Sequence, residues 1–194
     1  MKIKKVFVTS LAMACLVACG DKKVDEKAKE ETKLEEKESS NEGENTSEEE
    51  SSDGEIAKLK EGEEWVVDGQ WKLVVNSVKV LEGRNEFVDK DPAEVICVDY
   101  SYENLGFDNK IQDLYLFPSS VIDEKGEMAE TYSAVEDLKY AQETPIGAKT
   151  VGAQEAYALN NVSDTVKINF EQYVETETGE LINYKATIEA KVQK

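Results

Sequence analysis

The chain has 194 residues, 42 acidic and 23 basic, a formal charge of −19, and no histidine. Such acidity excludes nucleic acid as a partner, because phosphates demand a basic footprint, and argues against a surface that binds anionic lipid. Without histidine there is no Ser-His-Asp or Cys-His nucleophile pair, no imidazole base and no histidine metal site.

The first residues carry Lys2, Lys4 and Lys5, and Val6 to Ala18 is an apolar run broken only by Thr9 and Ser10. About 13 residues are too few for a membrane-spanning helix, which needs about 20, so the pattern is that of a secretory signal. Its ending, Leu16-Val17-Ala18-Cys19, resembles the bacterial lipobox. The resemblance implies that residues 1–18 are a signal peptide and that Cys19 is diacylated and opens the mature chain. Two acyl chains, at ~0.8 kcal/mol per buried methylene, anchor stably where one holds marginally. The competing reading is an ordinary signal peptide with an incidental cysteine. Cys15 leaves with the leader, and Cys97 is the remaining thiol. No intramolecular disulfide can then form, and packing alone must hold the domain.

Residues 19–58 form a different composition, rich in Glu, Lys, Ser, Asn and Gly, with Val24, Leu34 and Ile56 as the large apolar residues. Such a stretch buries too little surface to offset its ordering entropy and is expected to be a disordered acidic spacer. A flexible coil of this length spans roughly 35 Å, more with like charges.

From Leu59 to Lys194 the pattern is that of strands. Ile96, Val98, Tyr100 and Tyr102 alternate with polar neighbours, as do Val166, Ile168 and Phe170, and then Tyr184, Ala186, Ile188, Ala190 and Val192. Period two with one polar face marks half-buried antiparallel strands. Across Trp71 to Val80 the apolar phase switches, which predicts a bulge near Asn76-Ser77 or a strand that changes sheets. Further strands are expected at Trp65–Val67, Leu114–Ile122 and Ala153–Leu159. Turns are read at Val67-Asp68-Gly69-Gln70, Asp123-Glu124-Lys125-Gly126 and Glu177-Thr178-Gly179. Pro118, inside an apolar run, predicts an edge strand or a bulge. Ser133 and Glu136 have capping-box spacing, with Ala134, Leu138 and Ala141 on one side, which predicts one short helix. The expected fold is all-β, an antiparallel β-sandwich of about seven strands.

The run from Gly62 through Trp71-Lys72-Leu73-Val74-Val75-Asn76-Ser77-Val78, the strand end Tyr102-Glu103-Asn104, the turn Asp123-Glu124-Lys125-Gly126 and the connection Pro145 to Leu159 together resemble a widespread bacterial lipoprotein domain of unknown function. That family's immunoglobulin-like sandwich is shared with a secreted mycobacterial immunoprotective antigen. The resemblance covers roughly residues 60 to 192 and implies an immunoglobulin-like fold. It carries no catalytic or ligand residues. The stretch 127–149 is longer than the family's usual connection.

Candidate sites are few. Cys97 lies beside Asp99 rather than a base, which favours a structural thiol over a redox sensor. Trp65 and Trp71 flank a hairpin, where aromatics serve the core more often than they stack on sugars. Asp89, Asp91 and Glu94 precede a long strand and are weak candidates for a hard cation, against a solvated acidic loop. No catalytic set, cofactor or metal is expected. The sequence therefore predicts a non-enzymatic lipoprotein, held on the membrane through Cys19 and facing outside the cytoplasm, on a Gram-positive cell surface by its Lys/Glu-rich wording. Its expected work is binding a protein or cell-wall partner. The alternatives are a metal- or small-molecule-binding accessory lipoprotein and a structural envelope component.

Overall fold

A computed structural model describes residues 52–53, 55–89 and 91–194, which all fall in the compact unit Thr46–Lys194. The expected signal peptide, Cys19 and most of the spacer lie outside the described residues. Ten strands run in chain order: β1 (Ser52–Asp53), β2 (Ala57–Lys60), β3 (Glu64–Val67), β4 (Trp71–Val80), β5 (Glu94–Asn104), β6 (Ser120–Ile122), β7 (Glu130–Thr131), β8 (Lys149–Leu159), β9 (Thr165–Glu175) and β10 (Leu181–Gln193). The order β6-β9-β10-β4-β5-β8-β7 makes one mixed sheet, with β1 and β2 on β10 and β3 on β4. The long pairings β4–β5, β5–β8 and β9–β10 are antiparallel. β1, β2 and the end of β4 run parallel to β10.

The sheet nearly closes on itself. Val121 accepts from the amide of Ala129 at 2.8 Å, Ile122 bridges Met128, and Glu130 pairs with Ala158 of β8. Closure follows from the alternation in the sequence, because every long strand has an apolar face to turn inward. The principal core holds Trp71, Leu73, Val75, Val98, Tyr100, Ile168, Phe170 and Ile188, all 1% exposed or less. Each such side chain contributes about 1.5–3 kcal/mol relative to exposure. Trp71 is the hub, meeting Trp65, Phe107 and Tyr184 edge-on at centroid distances of 5.4, 5.9 and 5.7 Å.

The phase switch in β4 is a bulge, with the register to β5 shifting between Val75 and Ser77. A second shift, between Tyr100 and Tyr102, lies opposite it on the β8 side. On the outer face there, Asn76 Nδ2 donates to Asp99 Oδ1 at 2.6 Å and Gln154 Nε2 donates to Asp99 Oδ2 at 3.1 Å.

No helix is present among the described residues, so the short helix expected near Ser133 is corrected. The stretch after β7 instead lies extended over the outer face of β5 and β8. Tyr132, with Ala134 and Leu138, packs on Val95, Ala156 and Ala158, and the amide of Tyr132 bonds to Ala156 O at 2.8 Å. An isolated helix of about nine residues must meet the cost of nucleation with few bonds, whereas the extended course covers an apolar strip on both sides of β5. That strip also explains why five consecutive residues, Glu94 to Val98, are buried.

The run Leu114–Ile122 is likewise a strand only over Ser120–Ile122, with an isolated bridge from Leu114 to Thr144. Pro118 removes a donor just before β6, the last strand of the sheet order, which pairs with β9. Leu114 and Leu116 turn into the core, and Phe117 turns out.

Candidate functional site

The residues singled out in the sequence disperse. Asp89 and Asp91 are exposed, while Glu94 is buried and accepts from the amide of Ser163 at 3.2 Å. Among the described residues no group of three or more cysteines and carboxylates is arranged to hold a metal ion. Trp65 and Trp71 are 3% and 0% exposed and belong to the core. Cys97 is buried on β5, and its thiol is pushed up to about 11 by burial, then by Asp99 and Glu136. It is an inert thiol, held away from the thiolate that reactivity requires.

What the fold does bring together lies where β8 meets the irregular run before β6. There a cleft of about 200 Å³ is walled by Tyr115, Phe117 and Tyr140, with Tyr100 and Glu155 also on its lining. Tyr115 and Phe117 lie on one side of an extended segment whose other side, Leu114 and Leu116, is buried. Their rings sit 5.5 Å apart, tilted by 46°. Tyr140, 63% exposed, comes from the chain that covers β8. That chain is fixed by the bond from Gln154 N to Lys139 O at 2.6 Å and by Tyr102 Oη, which donates to Gln142 O.

Glu155 is the unusual member. Alternation along β8 puts it on the side of Ala153, Tyr157 and Leu159, which are core residues, and in register with the buried Val98. A carboxyl there loses water. Burial pushes its pKa up, against the lowering effect of Tyr157, whose hydroxyl donates to Glu155 Oε2 at 2.9 Å. Its charge in turn, after burial, raises the hydroxyl pKa values of Tyr100 and Tyr115. A second cleft, of about 230 Å³, crosses the outer face of β4, β5 and β8. Its charges satisfy one another, since Glu103 takes Lys72 at 3.1 Å and Lys149 at 3.0 Å. Bonds from Lys149 and then Lys72 hold the Glu103 carboxyl below its ordinary range.

Sequence reasoning missed Tyr115, Phe117, Tyr140 and Glu155. Two signals carried all but Tyr140: aromatic residues interleaved with Leu114 and Leu116, and a glutamate at an inward position of the alternating β8 run. The chain matches no family model, no curated protein and no solved structure.

Proposed function

We propose that the chain is a non-enzymatic, lipid-anchored extracytoplasmic binding protein whose ligand site is the Tyr115–Phe117–Tyr140 cleft. In this reading Cys19 carries the acyl chains, the part of the expected spacer that precedes β1 leads outward from the membrane, and the β domain is an immunoglobulin-like sandwich presenting the cleft. The lipobox-like Leu16-Val17-Ala18-Cys19 supports the anchor. The packing of β4, β5 and β8 with β9 and β10 around one core supports the sandwich.

The observation that carries the reading is the cleft itself. Phe117 and Tyr140 are 48% and 63% exposed, yet both face a concavity that also reaches the half-buried carboxyl of Glu155. Apolar and aromatic walls with a few placed polar groups are the usual composition of a ligand site.

The test is thermal melting of the full chain, in a non-ionic detergent, against small amines, amino acids, wall fragments and divalent cations. A ligand specific to the native state at a hundred times its Kd adds about 2.7 kcal/mol, or roughly 5–10 °C for a domain of this size. The expected result is a shift with one class of compound that Tyr140→Ala removes. A flat panel, or a shift unaffected by Tyr140→Ala, would overturn the reading.

A further inference from the structure

Resting on the reading that this cleft binds a ligand, we propose that it receives a small organic cation, an alkyl- or quaternary-ammonium group seated on the ring faces with its charge against Glu155.

The first ground is the set of groups that line the cleft. Tyrosine and phenylalanine faces carry negative electrostatic potential and attract ammonium groups within about 6 Å of a ring centroid. Two of the donors lining the cleft are already engaged, while the Tyr115 and Tyr140 hydroxyls remain on its lining. Tyr100 Oη donates to Leu116 O at 3.2 Å, and Gln154 Nε2 donates to Asp99. Tyr157 Oη is already given to Glu155. An anion would meet the Glu155 carboxylate on the same lining.

The second ground is the missing partner. No lysine or arginine among the described residues pairs with Glu155, whose hydrogen-bond partner is the Tyr157 hydroxyl. Glu155 is half-buried and lines the cleft with one hydroxyl donor and no cation beside it, so a ligand cation can reach its carboxylate.

The third ground is size. About 200 Å³ lies below the range of roughly 300–1,000 Å³ that holds drug-sized ligands and suits a head group or one side chain. A charge of −19 also raises the local concentration of cations around the protein.

The bland alternative is that Glu155 guards the edge of β8, since inward charges deter strand addition. That edge is already occupied, however, by Lys139 O on Gln154 N and by Tyr132 N on Ala156 O. A guard has little left to do there.

The experiment is isothermal titration of the full chain with choline and with neohexanol, its neutral carbon isostere. An acetylated, trimethylated lysine amide forms a parallel arm, which separates a free amine from an ammonium group carried on a side chain. Either cation is expected to bind about tenfold or more tightly than neohexanol. E155Q should cut that preference several-fold, leaving only the share owed to the ring faces, and lowering the pH until the carboxyl is protonated should do the same. Melting curves of E155Q check that the variant is folded. Equal binding of choline and neohexanol, unchanged in E155Q, would overturn the cation assignment while leaving the cleft a binding site. No binding of any of the three would overturn it as well, and the wider panel would then decide whether the cleft binds anything.

Discussion

Removing the side chain of Asn104 should cost the domain about 3 kcal/mol, because one buried amide ties two segments to the end of β5. Asn104 ends β5 and is 0% exposed. Its Oδ1 accepts from the amides of Gly106 at 3.0 Å and Phe107 at 2.8 Å, and its Nδ2 donates to Phe107 O at 3.1 Å and Thr144 O at 2.9 Å. In Asn104→Ala the two amides keep a second acceptor, Gln70 O, at 3.1 and 3.2 Å. The two carbonyls lose the Asn104 donor. Leaving a buried polar group unsatisfied costs about 1–3 kcal/mol, so two orphans and a small void give about 3 kcal/mol, or roughly 10 °C in Tm. Asn104→Asp should be worse, since it keeps the acceptors but turns a carboxylate toward two carbonyl oxygens. Urea melts would show the loss as a lower midpoint at unchanged slope. Because Thr144 lies on the segment that carries Tyr140, ligand affinity at the cleft should fall with stability. A loss under about 1 kcal/mol in Asn104→Ala would refute the reasoning, since water must then satisfy both carbonyls.

Four further outcomes can be checked. Gly106→Ala would put a Cβ 2.4 Å from Gly69 O, a backbone atom of the β3–β4 turn. Such overpacking should cost about 2 kcal/mol in a melt. The Glu155 carboxyl binds its proton more tightly in the fold than in the unfolded chain, whose value is near 4.5. Stability should therefore fall as pH rises from that value through the raised one, and thermal midpoints of Glu155→Gln should lack this slope. Asp123 behaves oppositely. Burial pushes its carboxyl up, but Asn161 and the amides of Glu127, Lys125 and Gly126 outweigh that and hold it below 3.8. Its contribution is full above that pH and is lost as pH falls through the lowered value, and Asp123→Ala should cost about 1–3 kcal/mol at neutral pH. The Cys97 thiol, raised to about 11, should resist a disulfide reagent at neutral pH and be modified at the rate of unfolding, becoming fully reactive in denaturant.

Much of the fold was legible because period-two burial writes itself into sequence. Ile96 to Tyr102, Val166 to Phe170 and Tyr184 to Val192 are strands as expected. The β4 bulge could be read from the change of face between Val75 and Val78. Three turns stand where Gly69, Gly126 and Gly179 predict them, each with positive φ. Two elements were illegible for a shared reason. β2 is only four residues long and the chain after β7 has little apolar alternation, and both are held by long-range partners. Ala57 to Lys60 pairs with β10, and Tyr132 to Leu138 lies on an outer strip that exists only once β5 and β8 are paired. The helix expected at Ser133 was a local signal overruled by that strip. The cleft was half legible. Leu114 to Phe117 shows its alternation, and Glu155 stands out on an inward position, but only the fold brings Tyr140 to them.

The most direct test of the cleft as the ligand site is nuclear magnetic resonance of the full chain with carbon-labelled tyrosine, phenylalanine and tryptophan, titrated with choline. The account predicts that ring signals of Tyr115, Phe117 and Tyr140 move together along one saturable curve, while those of Trp65 and Trp71 in the core stay still. Ring signals that do not move, or shifts spread evenly over the acidic surface without saturation, would contradict it.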